Sequence, residues 1–450
     1  MEYFWPLLMC AALLLGIFTG YPVAIVLAGI GVIFTFAADV PILFLSTGVS
    51  RTFSGILSNW LLIAVPLFVF MGLMLEKSGI AERLLRSLAG LLGPLPGGYA
   101  FAVAIIGIVM AASTGIIGAS VVLMGVLALP VMLESRYDPK LATGIIASTG
   151  TLGILIPPSI MLVVLGDTMR ISVGDLFAGA MIPGLMLGAL YIVYLVFIAI
   201  FKPEAMPPLP ARDRLPFAQA MTRLARDLVA PMLLILVVLG SIIAGIATPT
   251  EAAALGALGA FLLALASRQL SWKQFLAVLN ETTRTTAMIM FVMIGATIFS
   301  VIFRKLGGDT MIADALGVDE AGTNPYWVMF VIMAFIFVLG MFLDWVEITF
   351  IVMPIIAPII AGLDFGGGLD KDQILLWFAI LFAVNLQTSF LTPPFGYALF
   401  YIRGVAPAEI GTRIIYRGIV PFVIIQLIAL LLCIMFPQLA LWLPETLLGK

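Results

Sequence analysis

Four short stretches place polar or conformationally permissive residues inside runs that are otherwise apolar. The first, ASTGTLGILIPPS (Ala147 to Ser159), carries Ser148, Thr149, Gly150, Thr151 and Gly153 ahead of Pro157 and Pro158. The second, NLQTSFLTPPFG (Asn385 to Gly396), carries Asn385, Gln387, Thr388, Ser389 and Thr392 ahead of Pro393 and Pro394. MAASTGIIGAS supplies Ser113, Thr114, Gly115, Gly118 and Ser120, and GMFLDWVEIT supplies Asp344, Glu347 and Thr349. Two adjacent prolines remove two backbone donors and push the preceding residue out of helix, so upstream carbonyls lose their helical partners. At membrane depth such carbonyls are tolerated only where they are buried in protein or line a polar cavity. Discontinuous helices in corresponding positions of two halves point to a transporter's binding site. Carbonyls and hydroxyls together make a hard-oxygen cage suited to Na+, and half-helix N-termini aim positive dipole ends at an anion. The economical reading is a carboxylate coupled to sodium, although small-residue clusters also serve close helix packing.

Asp344 and Glu347 lie three residues apart, hence on one helical face. Intramembrane acids are candidates for function: cation ligands, a proton site, or hydrogen-bond anchors for a tip. A membrane aspartyl protease would need a second aspartate on a facing helix, and no convincing partner is visible. The chain has no histidine, which excludes a His-based proton relay, a His-ligated metal and a Ser-His triad. Cys10 and Cys433 both sit in apolar runs and form no spaced set, so neither a disulfide framework nor a thiolate site is expected. No cofactor is expected, and the chain is not read as an enzyme.

These clusters must be positioned by membrane helices. Of 450 residues, 63% are hydrophobic and 10% charged, with a mean hydropathy of +1.21, whereas soluble domains are about 25% charged. The net charge of -2 offers no basic region for nucleic acid. The apolar N-terminus lacks a basic n-region and reads as a mature first helix. Apolar runs of about 20 residues predict spans near 4–20, 22–38, 61–76 and 178–201 in the first half. That half also holds an interfacial stretch at 41–58, a re-entrant hairpin at about 98–134 and a broken helix at 142–170. A Pro-rich loop, 202–227, is expected to link the halves on the cytoplasmic side. The order then repeats: spans at 228–246, 250–267 and 284–303, with the amphipathic SWKQFLAVLNE between the last two. A hairpin at about 326–362, a broken helix at 374–404, a last span at 414–436 and a periplasmic tail at 438–450 complete it.

Landmarks pair in unbroken order: Pro6 with Pro231, Pro22 with Pro249, Gly79 with Gly307, Pro130 with Pro358, Pro157 with Pro393 and Pro183 with Pro421. The two repeats are therefore 1–201 and 228–437. Five crossings in each turn the second upside down, giving an all-α polytopic protein built as an inverted repeat. With the linker cytoplasmic, sixteen basic residues fall on inner faces against six on outer faces, the six being Arg51, Arg170, Arg304, Lys305, Lys371 and Lys450. Both termini then face outward, and the two hairpin tips converge near the midplane with the two breaks. Glu251 reads as interfacial, Asp167 with Arg170 as caps of the half-helix after Pro158, and Trp5 and Trp442 as interface anchors.

Four segments give the chain a specific likeness along essentially its whole length: GASVVLMGVLALPVML, YDPKLATGIIASTGTLGILIPPSIMLVVLGD, GMFLDWVEITFIVMPIIAPII and NLQTSFLTPPFGYALFYIRGVAP. Together they resemble the large membrane subunit of tripartite ATP-independent periplasmic (TRAP) transporters, and within it the branch labelled mannitol/chloroaromatic, whose relatives handle 2-oxo acids and other organic acids. The resemblance implies an elevator-type transporter of the bacterial inner membrane, with hairpins and broken helices sliding against a scaffold. It implies Na+ as coupling ion, a separate small four-helix membrane subunit, and a periplasmic solute-binding protein that delivers a small organic acid. Sodium roles carry over onto Ser113, Gly115, Ser148, Thr149, Gly150, Asp344, Asn385 and Thr392. The first tip departs from the family's Ser-Gly-Ser-Ser pattern by reading ASTGIIGAS, and Glu347 stands where sialate-type relatives are apolar. The alternatives are a stand-alone sodium-coupled di- or tricarboxylate carrier, a membrane-embedded enzyme using Asp344 and Glu347, and a channel.

Overall fold

The structure, a computed structural model, describes residues 3–115, 117–209, 216–268, 270–318 and 323–448. Helices α1 (Phe4–Phe18) and α2 (Val23–Ala37) lead into an arm made of α3 (Leu43–Thr52), a π-turn (Phe53–Leu57) and a 3-10 turn (Trp60–Ile63). Then come α4 (Ala64–Lys77), α5 (Ile80–Leu92), the hairpin α6 (Gly98–Thr114) and α7 (Ile117–Glu134), the broken pair α8 (Pro139–Thr151) and α9 (Ile160–Met169), and α10 (Val173–Phe201). The second half runs α11 (Phe217–Ile243), α12 (Pro249–Ala266), α13 (Trp272–Lys305), α14 (Gly308–Ala315), the hairpin α15 (Pro325–Gly340) and α16 (Trp345–Ala361), the broken pair α17 (Lys371–Ser389) and α18 (Tyr397–Val405), and α19 (Thr412–Met435). One further helix, α20 (Gln438–Leu448), closes the chain, and there is no strand among the described residues.

Local chemistry sets these boundaries. Asp138 caps α8 by accepting from the Lys140 amide at 2.9 Å, with Pro139 at the first helical position. Its counterpart α17 starts with a capping box between Asp370 and Gln373. Thr248 with Glu251 and Ser271 with Gln274 form further boxes, so Glu251 is an exposed cap. Gly79, Gly97 and Gly307 enter helices at positive φ, where a side chain would be strained.

Among the described residues, seven helices are long and apolar enough to cross a membrane. Five stretches differ from their sequence reading. α1 and α2 have 15 residues each, about 22 Å of helix against a core of about 30 Å. The amphipathic 271–281 is continuous with the span after it in the 34-residue α13, because nothing between Ser271 and Lys305 breaks helix. Residues 217–227, read as linker, form the first turns of α11. The stretch 438–450, read as a tail, holds α20, which packs on α10 and α17.

The halves engage reciprocally. α2 packs on α13 and α12 on α4; α8 packs on α19 and α17 on α10; α7 packs on α18 and α16 on α9. Pairs that interchange when the halves are exchanged mark a pseudo-two-fold relation. The core follows the same plan: α8 and α17 are buried along nearly their whole length, whereas α1, α11 and α12 expose many large apolar side chains.

Candidate functional site

Both Pro-Pro stretches interrupt their helices. α8 ends at Thr151, tightens into a 3-10 turn over Leu152–Ile154, and restarts at Ile160. α17 ends at Ser389 and restarts at Tyr397. Part of the freed backbone finds partners within the break: Ser159 Oγ donates to the Ile154 carbonyl at 2.7 Å, and the Ala398 amide reaches back to the Phe390 carbonyl at 3.2 Å. Tyr416 OH donates to the Pro394 carbonyl at 3.2 Å.

Each tip leans on its own break. Gly115 turns at φ 59 between α6 and α7, and a methyl group there would lie 3.4 Å from the Ile160 amide nitrogen. Gly107 on α6 faces Thr149, and Gly150 faces Val121 on α7; an added methyl would meet either neighbour at 2.4 Å. In the second half, Gly340 ends α15 against Ser389, and Tyr397 OH donates to the Phe342 carbonyl at 3.4 Å. The tips also reach across: Gly118 packs on the Tyr401 ring, and Gly125 on Val405. The two breaks meet where Gln387 Nε2 donates to Thr151 Oγ1 at 3.2 Å. These two positions differ by the offset of 236 that relates Pro157 to Pro393, so equivalent residues of the two halves touch on the pseudo-two-fold axis.

The predicted residues thus form one connected, buried unit. Ser148, Thr149, Thr349, Asn385, Gln387, Thr388 and Ser389 are buried, as are Gly150, Gly153, Pro157 and Pro158. Ser120 is buried on α7, while Thr392, Pro393 and Pro394 are more accessible. The side chains of Ser113 and Thr114 lie outside the described residues. Most hydroxyls bond within their own helix: Thr149 to the Ile145 carbonyl at 2.7 Å, Thr349 to Trp345 at 2.7 Å, Thr388 to Val384 at 3.0 Å and Thr392 to Thr388 at 2.8 Å. Asn385 Nδ2 donates to the Met333 carbonyl at 2.8 Å, tying α17 to α15. Ser148 Oγ and Gln387 Oε1 differ: both are buried and have no hydrogen-bond partner among the described residues. A buried polar atom left unpaired costs about 1–3 kcal/mol, so these two oxygens are the candidates within the unit for meeting a polar ligand.

Asp344 and Glu347 form a capping box. Asp344 precedes α16 and accepts from the Trp345 amide at 2.8 Å, while Glu347 Oε2 accepts from the Asp344 amide at 2.6 Å. Of the roles open to this pair, anchoring the tip is the one with visible geometry. The D-x-x-E spacing before an apolar run is itself a helix-start signature. Among the described residues no three His, Cys, Asp or Glu side chains cluster as a metal site.

Sequence reasoning missed a cavity of about 800 Å³ bounded by the arm, α13 and the ends of α9 and α16. Arg51, Asn59, Asp167, Arg170 and Arg304 line it. Asp167 accepts from Asn59 Nδ2 at 2.6 Å, which ties α9 to the arm, and Arg170 ends α9 in the left-handed region at φ 59. The signal lay in three arginines that the sequence reading puts on outer faces, but they are separated by more than a hundred residues each and only the fold joins them.

Residues 9–439 match the family described as the DctM component of tripartite ATP-independent periplasmic transporters. The chain belongs to that family. It is similar to the C4-dicarboxylate TRAP transporter large permease protein of Pseudomonas aeruginosa, with 32% identity over 86% of this chain and 87% of that one. It is likewise similar to the sialic acid TRAP transporter large permease protein of Vibrio cholerae, with 30% identity over 96% and 97%. Among solved structures, the YdaH transporter of Alcanivorax borkumensis shares the fold at a TM-score of 0.54 with 14% identity, covering 97% of this chain and 98% of that one. The chain is therefore the large membrane subunit of a TRAP transporter.

Proposed function

We propose that this TRAP subunit carries out Na+-coupled import of a small organic acid, a carboxylate such as a 2-oxo acid, delivered by a periplasmic solute-binding protein. The observation that carries this reading is the buried unit of two tips and two breaks, joined at Thr151 and Gln387 and holding the unpaired oxygens of Ser148 and Gln387. Sodium is held there by Ser148, Thr149 and Gly150 with Ser113 and Gly115 of the first tip, and by Asn385 and Thr392 with Asp344 of the second tip. The repeats 1–201 and 228–437 are inverted in the inner membrane, with both termini periplasmic. Hairpins and broken helices move as an elevator against a scaffold of α1–α4 and α11–α13. A small four-helix subunit, a separate polypeptide, covers apolar faces of that scaffold. The relatives named for C4-dicarboxylates and sialic acid both take carboxylates, which supports an organic-acid substrate.

The test is uptake into proteoliposomes holding both membrane subunits, with the binding protein encoded beside this chain and its co-purified ligand. Accumulation should require an inward sodium gradient and the binding protein. Accumulation that survives without sodium and collapses with the proton gradient overturns sodium coupling. Sodium-driven uptake by the large subunit alone would instead make it a stand-alone carrier.

A further inference from the structure

We propose that the cavity between the arm, α13 and the ends of α9 and α16 is an anion-binding antechamber that holds a soluble carboxylate between Arg51, Arg170 and Arg304. Its volume of about 800 Å³ lies in the range of small-molecule sites, about 300–1,000 Å³. Its charged walls are three guanidinium groups and one carboxylate, Asp167, which accepts from Asn59 at 2.6 Å and also feels the charge of Arg170, so the lining is net positive. None of the three arginines has an acidic partner within ion-pair distance among the described residues.

Arg304 is the most telling. It stands near the end of α13, half-buried, and donates Nη2 to the Pro354 carbonyl while its buried Nε has no partner. The Pro354 carbonyl is available because its helical partner would be the amide of residue 358, and Pro358 has none. A cation so placed has a carbonyl on one side and an unmet donor on the other, and Asp309 acts on it only from beyond ion-pair distance. Guanidinium recognises carboxylate through paired, charge-assisted N–H donors.

The inverted repeat supplies an internal control. Arg304 corresponds to Glu76 at the offset of 228 that relates Gly79 to Gly307 and Pro130 to Pro358. Glu76 is buried and paired with Lys77 at 3.5 Å. The equivalent position of the other half therefore bears the opposite sign, so the positive lining belongs to one end of the molecule. That end carries the residues assigned above to the periplasmic face, where substrate arrives. The walls come from both bodies of the elevator, α13 and the arm on one side and α9 and α16 on the other, so an anion here touches both. None of the tip and break residues assigned to sodium lines this cavity. The inference rests on the organic-acid reading and names the place where that acid waits.

Charge-selective labelling tests it without sodium, gradients or binding protein, so its outcome is independent of the coupling reading. Thr297→Cys within the cavity and Ser54→Cys on the exposed arm, each with Cys10→Ser and Cys433→Ala, are placed in phosphatidylcholine nanodiscs with the small subunit. Rates of modification by a sulfonatoethyl and by a trimethylammonium methanethiosulfonate are compared, each normalised to a free thiol. The sulfonate reagent should lead by roughly tenfold, Arg51→Gln or Arg304→Gln should bring the ratio toward one, and millimolar succinate should slow the sulfonate reaction where butanediol does not. A ratio near one in the parent at both positions, or a ratio indifferent to the arginine substitutions, overturns the site. So does a failure of succinate to protect when phosphatidylglycerol added to the nanodiscs does, which would assign the arginines to lipid headgroups.

Discussion

The two tip-and-break clusters occupy equivalent places and are built from different materials. The first is made of small residues at close quarters: Gly107 against Thr149, Gly150 against Val121, and Gly115 turning in the left-handed region. The second has the Asp344–Glu347 capping box, the Asn385 amide on the Met333 carbonyl and an aromatic contact between Phe342 and Phe395 with centroids 5.5 Å apart. Among the described residues, each cluster keeps one orphaned oxygen, Ser148 Oγ in the first and Gln387 Oε1 in the second. Side-chain hydrogen bonds in the second satisfy the tip from within. A repeat thus fixes where chains break and lets each copy decide how its polar groups are met.

The largest expected effect tests the packing side of this contrast. A methyl group at Gly150 would sit 2.4 Å from Val121 Cγ2 and 3.1 Å from the Val121 backbone, and backbone has little freedom to yield. Gly150→Val should cost about 3 kcal/mol or more, seen as loss of the monodisperse complex or a large fall in unfolding temperature. At Gly340 the nearest atom, 2.1 Å away, is Ser389 Oγ, which can rotate, with Ser389 Cβ at 2.9 Å behind it. Gly340→Ala should be milder than Gly150→Ala, and Ser389→Ala should rescue it in part. Equal costs at the two glycines would erase the distinction between a backbone wall and a side-chain wall.

A middle-sized effect tests the polar side. Removing a helix cap typically costs about 1 kcal/mol, so Asp344→Ala should lower stability by about that amount. Asp344→Asn, which keeps an acceptor for the Trp345 amide, should cost less. Hydrogen exchange at residues 341–349 should rise in the same order while the first tip is unaffected. Matching exchange in the two variants would mean that Asp344 acts through charge and not as a cap.

The breaks, the repeat and most helices were legible in the sequence because their signals are local: Pro-Pro at 157–158 and 393–394, Gly79 and Gly307, and apolar runs of spanning length. The joining of 271–281 to the following span in α13 was not, since a change from amphipathic to apolar residues marks a change of surroundings and not of backbone. The docking of α20 on α10 and α17 is long-range and left no local trace. Within the candidate site, residue types and the pairing of breaks were readable, and D-x-x-E held the capping box in plain view. The contact of Thr151 with Gln387, the orphaned Ser148 and the gathering of Arg51, Arg170 and Arg304 arise only when the halves pack.

The smallest change in stability should carry the sharpest functional contrast. Ser148 Oγ is buried without a partner, so Ser148→Ala removes an unsatisfied atom and should leave stability in potassium unchanged or raised by about 1 kcal/mol. Thr388→Ala, by contrast, breaks a bond to the Val384 carbonyl and should lower stability by about 0.5–1.5 kcal/mol. Sodium, if bound at the first break, stabilises the folded state in proportion to its occupancy. The rise in unfolding temperature on replacing potassium with sodium should therefore shrink in Ser148→Ala. A full sodium response in Ser148→Ala, together with its loss in Thr388→Ala, would leave the second break as the ion site and reverse the contrast between the clusters.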